Sequence, residues 1–302
     1  MIDSPNSGDS VLDRTSPKDG AHSAAMMQSP SIHRAYTRCR HGQMHYRIAG
    51  QAQDQRTPVV LLHQNPSSSY EYEPLIRALA TDRLVVALDT PGYGMSDAPP
   101  APPGMAGYAA AFSDALNALA EEGVLEGPVD LYGFHTGTLL SCELAIARPD
   151  RVRALGLTGI PMFDEAAIAQ RLASAESFPK PDEDGAVIGD LLSKLWTYVV
   201  TSRDKAVPLD KAALNFADKA RVLDRFTWAY RGVWSWDFSR LEQVTQPALL
   251  IQPAEDLHSV SLEAAARMPS CRVVELPDLD RDIFDIAPER IAHELRNFLD
   301  RV

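Results

Sequence analysis

A short and nearly all-apolar run, Pro58-Val-Val-Leu-Leu-His63, is the feature that most limits the folds open to this chain. Strict alternation of apolar and polar residues is typical of a strand with one face in water, whereas an uninterrupted apolar run is typical of a strand buried on both faces. Such strands belong to sheets that are covered by helices on either side. The run therefore predicts a central strand of an α/β sheet.

The rest of the chain repeats an alternation of strands and helices. Two β-like runs, 35–40 and 43–48, are separated by a glycine and predict an antiparallel pair. Apolar runs predict five further strands, at 84–89, 129–133, 154–160, 247–252 and 272–276. Helical spacing of apolar residues predicts helices between most of them and a last helix from about Pro288. We expect an eight-stranded, mostly parallel sheet flanked by helices.

The alternation stops after Pro161 and resumes at Pro247. The interval has helical patterns and contains all four tryptophans of the chain. We interpret 162–238 as an inserted helical cap, with 33–161 and 239–302 forming the core. Pockets are commonly lined by aromatic side chains, so we predict that part of the cap faces a substrate cleft. The tryptophans chosen as substrate-binding residues are Trp196, Trp228 and Trp234.

The first 32 residues differ in character from the rest. They contain scattered Ser, Asp, Pro and Lys and lack the apolar central stretch of a signal peptide, so we predict a disordered leader. Three widely spaced cysteines, an odd number, favour a reducing compartment over a disulfide framework, and we expect a cytoplasmic protein.

Charge and hydropathy exclude two classes of partner. The formal net charge is −12 and the isoelectric point is near 5.1, with no cluster of Lys and Arg that would attract nucleic acid or an anionic membrane. No window approaches the ~20 apolar residues of a membrane span. We therefore expect a small-molecule partner, with no nucleic acid and no membrane.

Three motifs follow three of the predicted strands. They are His63-Gln-Asn-Pro-Ser-Ser-Ser69, Asp89-Thr-Pro-Gly-Tyr-Gly-Met-Ser96 and Leu131-Tyr-Gly-Phe-His-Thr-Gly137. In this order, and with the last one between a strand and a helix, they resemble the oxyanion loop, the glycine turn and the nucleophile elbow of the α/β-hydrolase superfamily. The first motif is similar to that of haloalkane dehalogenases and epoxide hydrolases. The resemblance covers about residues 35–302.

The resemblance implies roles for three residues near the elbow. His135 stands where the superfamily carries its Ser, Cys or Asp nucleophile, and histidine is among the residues enriched at positive φ. The backbone N–H groups of Thr136 and Asn65 are expected to form the oxyanion hole. Gln64 replaces a glycine that is usual in that loop.

The resemblance also locates the other two members of a triad. Asp256, in Pro253-Ala-Glu-Asp256, fits the position of the acid, and Arg281 stands where the general base should be. A guanidinium stays protonated near pH 7, so an ordinary Ser-His-Asp relay is not possible. Two alternatives remain for Arg281, a bidentate ion pair with Asp256 or the binding of a substrate carboxylate.

His135 has three possible roles, namely a general acid or base, a nucleophile that forms an acyl-imidazole, or an inert part of the pocket floor. The leading hypothesis is an enzyme that needs no cofactor or metal and acts on a small carbonyl, ester or lactone-like substrate. His135 would be central, Asp256 its orienter and Arg281 an anion binder. The rival hypothesis is a catalytically inactive ligand-binding or scaffold protein of the same fold.

Overall fold

A computed structural model describes residues 30–53, 56–180 and 182–302. Its centre is one eight-stranded sheet, with strand order β1-β2-β4-β3-β5-β6-β7-β8. The strands are β1 (His33–Cys39), β2 (Gly42–Ala49), β3 (Val59–Leu62), β4 (Val85–Leu88), β5 (Val129–Phe134), β6 (Val152–Thr158), β7 (Ala248–Pro253) and β8 (Cys271–Leu276). Most of the predicted leader, residues 1–29, lies outside the described residues.

The sheet is parallel except at one edge. β1 pairs with β2 and β2 with β4 in antiparallel fashion, and the remaining neighbours run parallel. All four residues of β3 are buried, and Val59 pairs with Val85 on one side and Asp130 on the other. The prediction of a central strand from its apolar run is therefore confirmed.

Helices cover both faces of the sheet. On one face lie α2 (Gly104–Glu121), α3 (Thr136–Ala147) and α8 (His258–Ala265), and on the other lie α1 (Glu73–Leu79) and α10 (Pro288–Leu299), with a short α9 (Ile283–Ile286) before the last. The predicted fold class, a mostly parallel α/β sheet flanked by helices, is confirmed. None of the helices within the described residues is both long enough and apolar enough to cross a membrane.

A helical insert, residues 165–234, separates β6 from β7. It contains α4 (Glu165–Glu176), α5 (Ala186–Trp196), a π-helical turn (Thr197–Thr201), α6 (Leu209–Ala220) and α7 (Trp228–Trp234). Five buried side chains give part of it a small core of its own: Leu195, Val199, Val200, Val207 and Ala212. α7 packs instead on α2 and α3, which joins the insert to the sheet layers.

Asp89, directly after β4, fastens three segments together. Its buried carboxylate accepts hydrogen bonds from the backbone N–H of Ser69 at 2.7 Å and of Met95 at 2.9 Å, and lies 2.8 Å from Nδ1 of His45 on β2. Burial alone would raise the pKa of Asp89, but the His45 contact, nearby charge and the Ser69 hydrogen bond lower the pKa to about 2. The carboxylate therefore supports the fold only while it is ionised.

The glycine spacing after Asp89 has a steric cause. Gly94 has a φ of +54°, and a β-carbon at this position would lie 2.1 Å from Oδ2 of Asp89. A larger residue would displace the carboxylate from its donors. The motif Asp89-Thr-Pro-Gly-Tyr-Gly94 is thus one packed unit.

Asp89→Asn should make the protein less stable at neutral pH but not at low pH. The pKa of Asp89 falls from an ordinary 3.8 to about 2 on folding, so its stabilisation is complete above about pH 4 and is lost as the pH falls towards 2. This shift corresponds to about 2 kcal/mol. Urea unfolding of both proteins should show their difference in unfolding free energy shrinking by about this amount between pH 4 and 2. A difference that stays constant over this range would contradict the prediction.

Candidate active site

The turn between β5 and α3 holds His135 in a strained conformation. Its φ is 49° and its ψ is −113°, and only His135 and Asp282 have positive φ among the non-glycine residues of the described chain. The His135 N–H donates to the Thr158 carbonyl at 2.8 Å, and the Thr138 N–H donates to the His135 carbonyl at 2.9 Å. Such strain persists where the surroundings fix it and is common at functional sites.

Two glycines make this turn possible. A β-carbon on Gly137 would lie 1.9 Å from the Leu62 carbonyl oxygen of β3, and one on Gly133 would lie 2.2 Å from the Gly137 carbonyl oxygen. α3 therefore passes the strands at a distance that no side chain permits. The Gly133-x-His135-x-Gly137 spacing is a packing requirement, whatever chemistry the central residue performs.

His135 forms a close contact with Glu255, which follows β7. Nε2 of His135 lies 2.6 Å from Oε2 of Glu255, and the imidazole stacks on the Phe134 ring with centroids 4.0 Å apart. The His135 side chain is 23% exposed and that of Glu255 is 10% exposed, so the pair is largely shielded but still reachable. A neighbouring carboxylate of this kind fixes the orientation of an imidazole.

The prediction that Asp256 orients His135 is wrong by one residue. Pro253 is still part of β7, and the Ala254 N–H donates to the Leu279 carbonyl at 2.7 Å, which fixes the start of the following turn. From this turn the longer side chain of Glu255 reaches His135, while Asp256 is exposed and lines the adjoining cavity. Glu255 is the functional candidate that the sequence interpretation missed.

Arg281 lies beside this pair but not in the predicted ion pair. Its Nη2 donates to the Tyr198 carbonyl at 2.8 Å, its guanidinium lies 4.8 Å from the Tyr198 ring centroid, and its Nε is 3.6 Å from Oδ2 of Asp282. No ion pair between Arg281 and Asp256 forms within the described chain, because Tyr198 and Asp282 hold the guanidinium. Of the two alternatives for Arg281, the bidentate pair is therefore excluded.

Gly159, directly after β6, makes room for the pair. It has a φ of +74°, and a β-carbon here would lie 2.3 Å from Cδ2 of His135 and 2.6 Å from Oε1 of Glu255. A side chain at this position would push the imidazole and the carboxylate apart. The only sign of this arrangement in the sequence is a glycine at the carboxyl end of a strand. The glycine by itself does not identify the side chains for which it leaves space.

Asn65 and Thr136 line the same cavity as His135. The hydrogen bonds among described residues include none from the backbone N–H of either residue. The Asn65 side chain is 2% exposed, and both its amide atoms lack a partner within the described chain. Unpaired buried polar groups carry a free-energy cost, so this corner of the cavity is suited to a polar ligand atom.

The loop that carries Asn65 is held from two sides. One carboxylate, that of Glu71, accepts from the Gln64 N–H at 3.0 Å, from the Gln64 side-chain amide at 2.9 Å and from the Ser67 hydroxyl at 2.9 Å. From the insert, Nζ of Lys219 donates to the Pro66 carbonyl at 3.0 Å. Gln64, which stands where a glycine is usual, is held in this loop by its two hydrogen bonds to Glu71. Glu71 is another residue that the sequence interpretation missed.

Two cavities meet at His135. The larger has a volume of about 300 Å³ and the smaller about 110 Å³, and both are lined by His135, Tyr198, Glu255 and Arg281. The walls of the larger cavity that come from the chain between β6 and β7 are mainly apolar or aromatic: Pro161, Phe163, Tyr230, Val233 and Trp234. The site is therefore a cleft between the sheet and the insert.

Only one of the three predicted tryptophans lies in this cleft. Trp234 lines the larger cavity, but Trp196 is 42% exposed and packs edge-on against Phe216 at 5.1 Å. Trp228 begins α7, is partly buried and does not line either cavity. Trp196 and Trp228 therefore lie outside both cavities, and Tyr198 and Tyr230 line the larger one instead.

Burial shapes the electrostatics around the smaller cavity. It raises the pKa of Asp285, which lines this cavity, although Lys211 at 3.9 Å opposes the shift. Burial also raises the pKa of Tyr198, against the effect of the Arg281 charge. Isolated charge is thus unfavourable here, which favours paired charges such as those of Asp285 and Lys211.

The cysteines lie outside both cavities and are free thiols. Cys142 is fully buried in α3, and burial raises its pKa and raises that of Cys271 to about 11. In the part of the chain that the structure describes, no three His, Cys, Asp or Glu side chains are grouped to hold a metal ion.

The family model described as the alpha/beta hydrolase fold matches residues 57–270, and the chain belongs to this family. One similar protein is the 2-(acetamidomethylene)succinate hydrolase of Mesorhizobium japonicum, 24% identical over 253 residues, which are 80% of this chain and 87% of the relative. A pimeloyl-[acyl-carrier protein] methyl ester esterase of Neisseria meningitidis is 32% identical over 122 residues, which are 40% of this chain and 41% of the relative.

Solved structures show the same fold. The enol-lactonase from Burkholderia xenovorans has a TM-score of 0.72 at 18% identity, over 88% of this chain and 99% of its own. A structure of E-2-(acetamidomethylene)succinate hydrolase has a TM-score of 0.65 at 20% identity, over 89% of this chain and 100% of its own. These four relatives are named as hydrolases, an esterase and a lactonase. At the low sequence identities of the two solved structures, their similarity to this chain establishes the fold alone.

Gly159→Ala should separate His135 from Glu255, whereas Gly123→Ala should not. Both glycines have positive φ, +74° and +71°, but Gly123 has nothing within 4 Å of an added β-carbon. Each substitution should cost about 1 kcal/mol or more in backbone strain. NMR spectra of the histidine rings should show altered His135 signals in Gly159→Ala alone. Unchanged His135 signals in both variants would contradict the steric role of Gly159.

Proposed function

We propose that this protein is a cofactor-independent enzyme in which His135 acts as a general base on a small carbonyl, ester or lactone-like substrate. The observation that carries the proposal is the 2.6 Å contact between His135 and Glu255 in the wall of a 300 Å³ cavity. An imidazole that a carboxylate orients is the usual proton acceptor in hydrolytic sites. The strained backbone at His135 directs this group to the carboxyl ends of the strands.

In this mechanism the base is Nδ1 of His135. The carboxylate of Glu255 accepts a hydrogen bond from Nε2–H, so a neutral His135 carries its lone pair on Nδ1. Nδ1 takes a proton from water or from the substrate, and Glu255 stabilises the imidazolium that forms. Compared with a Ser-His-Asp relay, the two nitrogens have exchanged roles, and no third residue is needed between the base and the reacting atom.

The neighbouring donors complete the site. The backbone N–H groups of Asn65 and Thr136, which line the cavity with His135, form the oxyanion hole. The permanent positive charge of Arg281, which lines the same cavity, supports the same anion. These groups stabilise charge that develops during the reaction without having to reorganise.

Hydrolysis is the reaction that we favour, since the two proteins similar in sequence that were described above are named as a hydrolase and an esterase. His135 Nδ1 removes a proton from water, and the water oxygen attacks the carbonyl carbon to give a tetrahedral anion. Collapse of the anion breaks the bond to the leaving group, which takes the proton back from His135. The same base and anion site also support removal of a proton next to a carbonyl, a lyase-type step.

A second candidate is a catalytically inactive binding protein. The observation that favours it is Arg281 in the position of the superfamily base, which removes the ordinary relay. In that case the cleft would bind a ligand, and His135 would only fill the floor of the pocket. Activity measurements on variants of His135 separate the two candidates.

His135→Ala and Glu255→Gln should each abolish most of the activity found in a panel of activated esters, lactones and 1,3-diketones. Loss of a positioned general base costs about 10²- to 10⁴-fold in rate. A matched control is Glu275→Gln, because His258 and Glu275 form a similar contact of 2.8 Å that is exposed and involves no residue lining either cavity. Initial rates of purified proteins provide the measurement, and the control should match wild type.

Equal rates for wild type and His135→Ala would overturn the proposal. Activity that appears only in His135→Ser would identify a binding protein with an intact oxyanion hole. A covalent acyl adduct on His135, found by mass spectrometry after rapid quenching, would instead make His135 the nucleophile and replace the general-base mechanism.

A further inference from the structure

Arg171 of α4 is a cation that contacts two aromatic rings at the cavity. Its guanidinium carbon lies 4.0 Å from the Phe163 ring centroid and 5.4 Å from the Trp234 centroid. All three side chains line the larger cavity. The two rings contact the guanidinium without using its N–H groups, and within the described chain these groups form no hydrogen bond, so they are available to a ligand.

Within the described chain, Arg171 forms no ion pair and no side-chain hydrogen bond. Three other arginines of the insert differ from it. Arg203 donates to two backbone carbonyls, Arg225 to Gly92, and Arg231 to Ala175 and Glu176. Arg171 is exposed and unpaired within the described chain, as is Arg221, but of these two only Arg171 lines the larger cavity.

The charges of the larger cavity are unevenly distributed. Its carboxylates, Glu255, Asp256 and Asp280, lie on the loops after β7 and β8 together with Arg281. The wall from the insert has aromatic and aliphatic side chains, and Arg171 is its one charged residue among those that the structure describes. The lining of the cavity therefore includes both His135 and, among the apolar groups of the insert, a single cation.

Arg171 also borders a more open neighbouring space. It lines a second, outer groove of about 580 Å³ together with Phe178, Phe226 and Tyr230. The Tyr230 and Trp234 rings, nearly parallel with centroids 6.5 Å apart, border both spaces. An anionic ligand approaching a chain of net charge −12 is repelled by most of its surface, and Arg171 offers a local attraction at the opening.

We propose that the natural ligand carries a carboxylate on an apolar body, and that Arg171 binds this carboxylate while the other end of the ligand reaches His135. The planar N–H edge of arginine matches a carboxylate with two parallel hydrogen bonds. This inference depends on the proposed function only for what happens at His135. Binding of the anion is a separate property and is testable without turnover.

The test compares matched ligands that differ only in charge. Phenylacetate and phenylacetamide, and 3-phenylpropionate and its amide, are titrated by calorimetry at low ionic strength into wild type, Arg171→Gln and Arg171→Lys. We expect wild type to prefer each carboxylate by about tenfold, as for a charge-assisted hydrogen-bonded pair. The preference should vanish in Arg171→Gln with the amide affinity unchanged, persist in part in Arg171→Lys, and weaken with salt.

The control is Arg221→Gln, which removes an exposed insert arginine outside both cavities that meet at His135 and should leave the preference intact. Three results would overturn the inference: no carboxylate preference in wild type, an unchanged preference in Arg171→Gln, or a preference that disappears only in Arg281→Gln. A stacking role alone would lower the thermal stability of Arg171→Gln and leave the ligand preference as it was.

The same titration on His135→Ala separates this inference from the proposed function. His135→Ala should retain the carboxylate preference, because Arg171 is intact. If wild type shows the preference but no activity on any panel substrate, the proposed catalysis fails and the anion site stands. If activity depends on His135 but wild type shows no carboxylate preference, the anion site fails and the proposed catalysis stands.

Discussion

The close passage of α3 over β3 is the constraint on which the site depends. The Gly137 backbone is so near the Leu62 carbonyl that a β-carbon would lie 1.9 Å from it, and the chain must turn sharply between β5 and α3 to achieve this. His135 absorbs the turn with a φ of 49°. The packing of α3 on the sheet fixes the backbone at residue 135 and therefore the direction of its side chain. The side chains that surround residue 135 must then fit the residue that stands there.

An imidazole is larger than a serine hydroxyl, and the residues around it fit that size. Gly159 leaves the space that the ring occupies, and Glu255 supplies a carboxylate at 2.6 Å. Arg281, held by Tyr198 and Asp282, does not replace the missing base. Two positions, Gly159 and Glu255, thus fit a histidine at the turn, which is more than one isolated substitution in an otherwise ordinary triad would require.

How much of the fold and the site was predictable from the sequence depended on the range of the interactions. β3 and the glycine turns were predictable, because a buried strand and a sharp turn restrict residue type locally. The pairing of His135 with Glu255 was not, since it joins residues 120 positions apart and depends on which of two adjacent acids the turn after β7 directs inward. The position of Trp196 outside the cleft was not predictable for a related reason. Which face of a helix in the insert points into the cleft depends on what that helix packs against.

The insert does more than provide walls for the cleft. Lys219 of α6 donates to the Pro66 carbonyl, and the adjacent Asp218 accepts a hydrogen bond from Ser68, so one turn of the insert holds the loop that carries Asn65. Glu71 holds the same loop through Gln64 and Ser67. The insert and Glu71 thus hold this loop from two sides, so the position of Asn65 in the cavity depends on the packing of α6 as well as on the sheet layers.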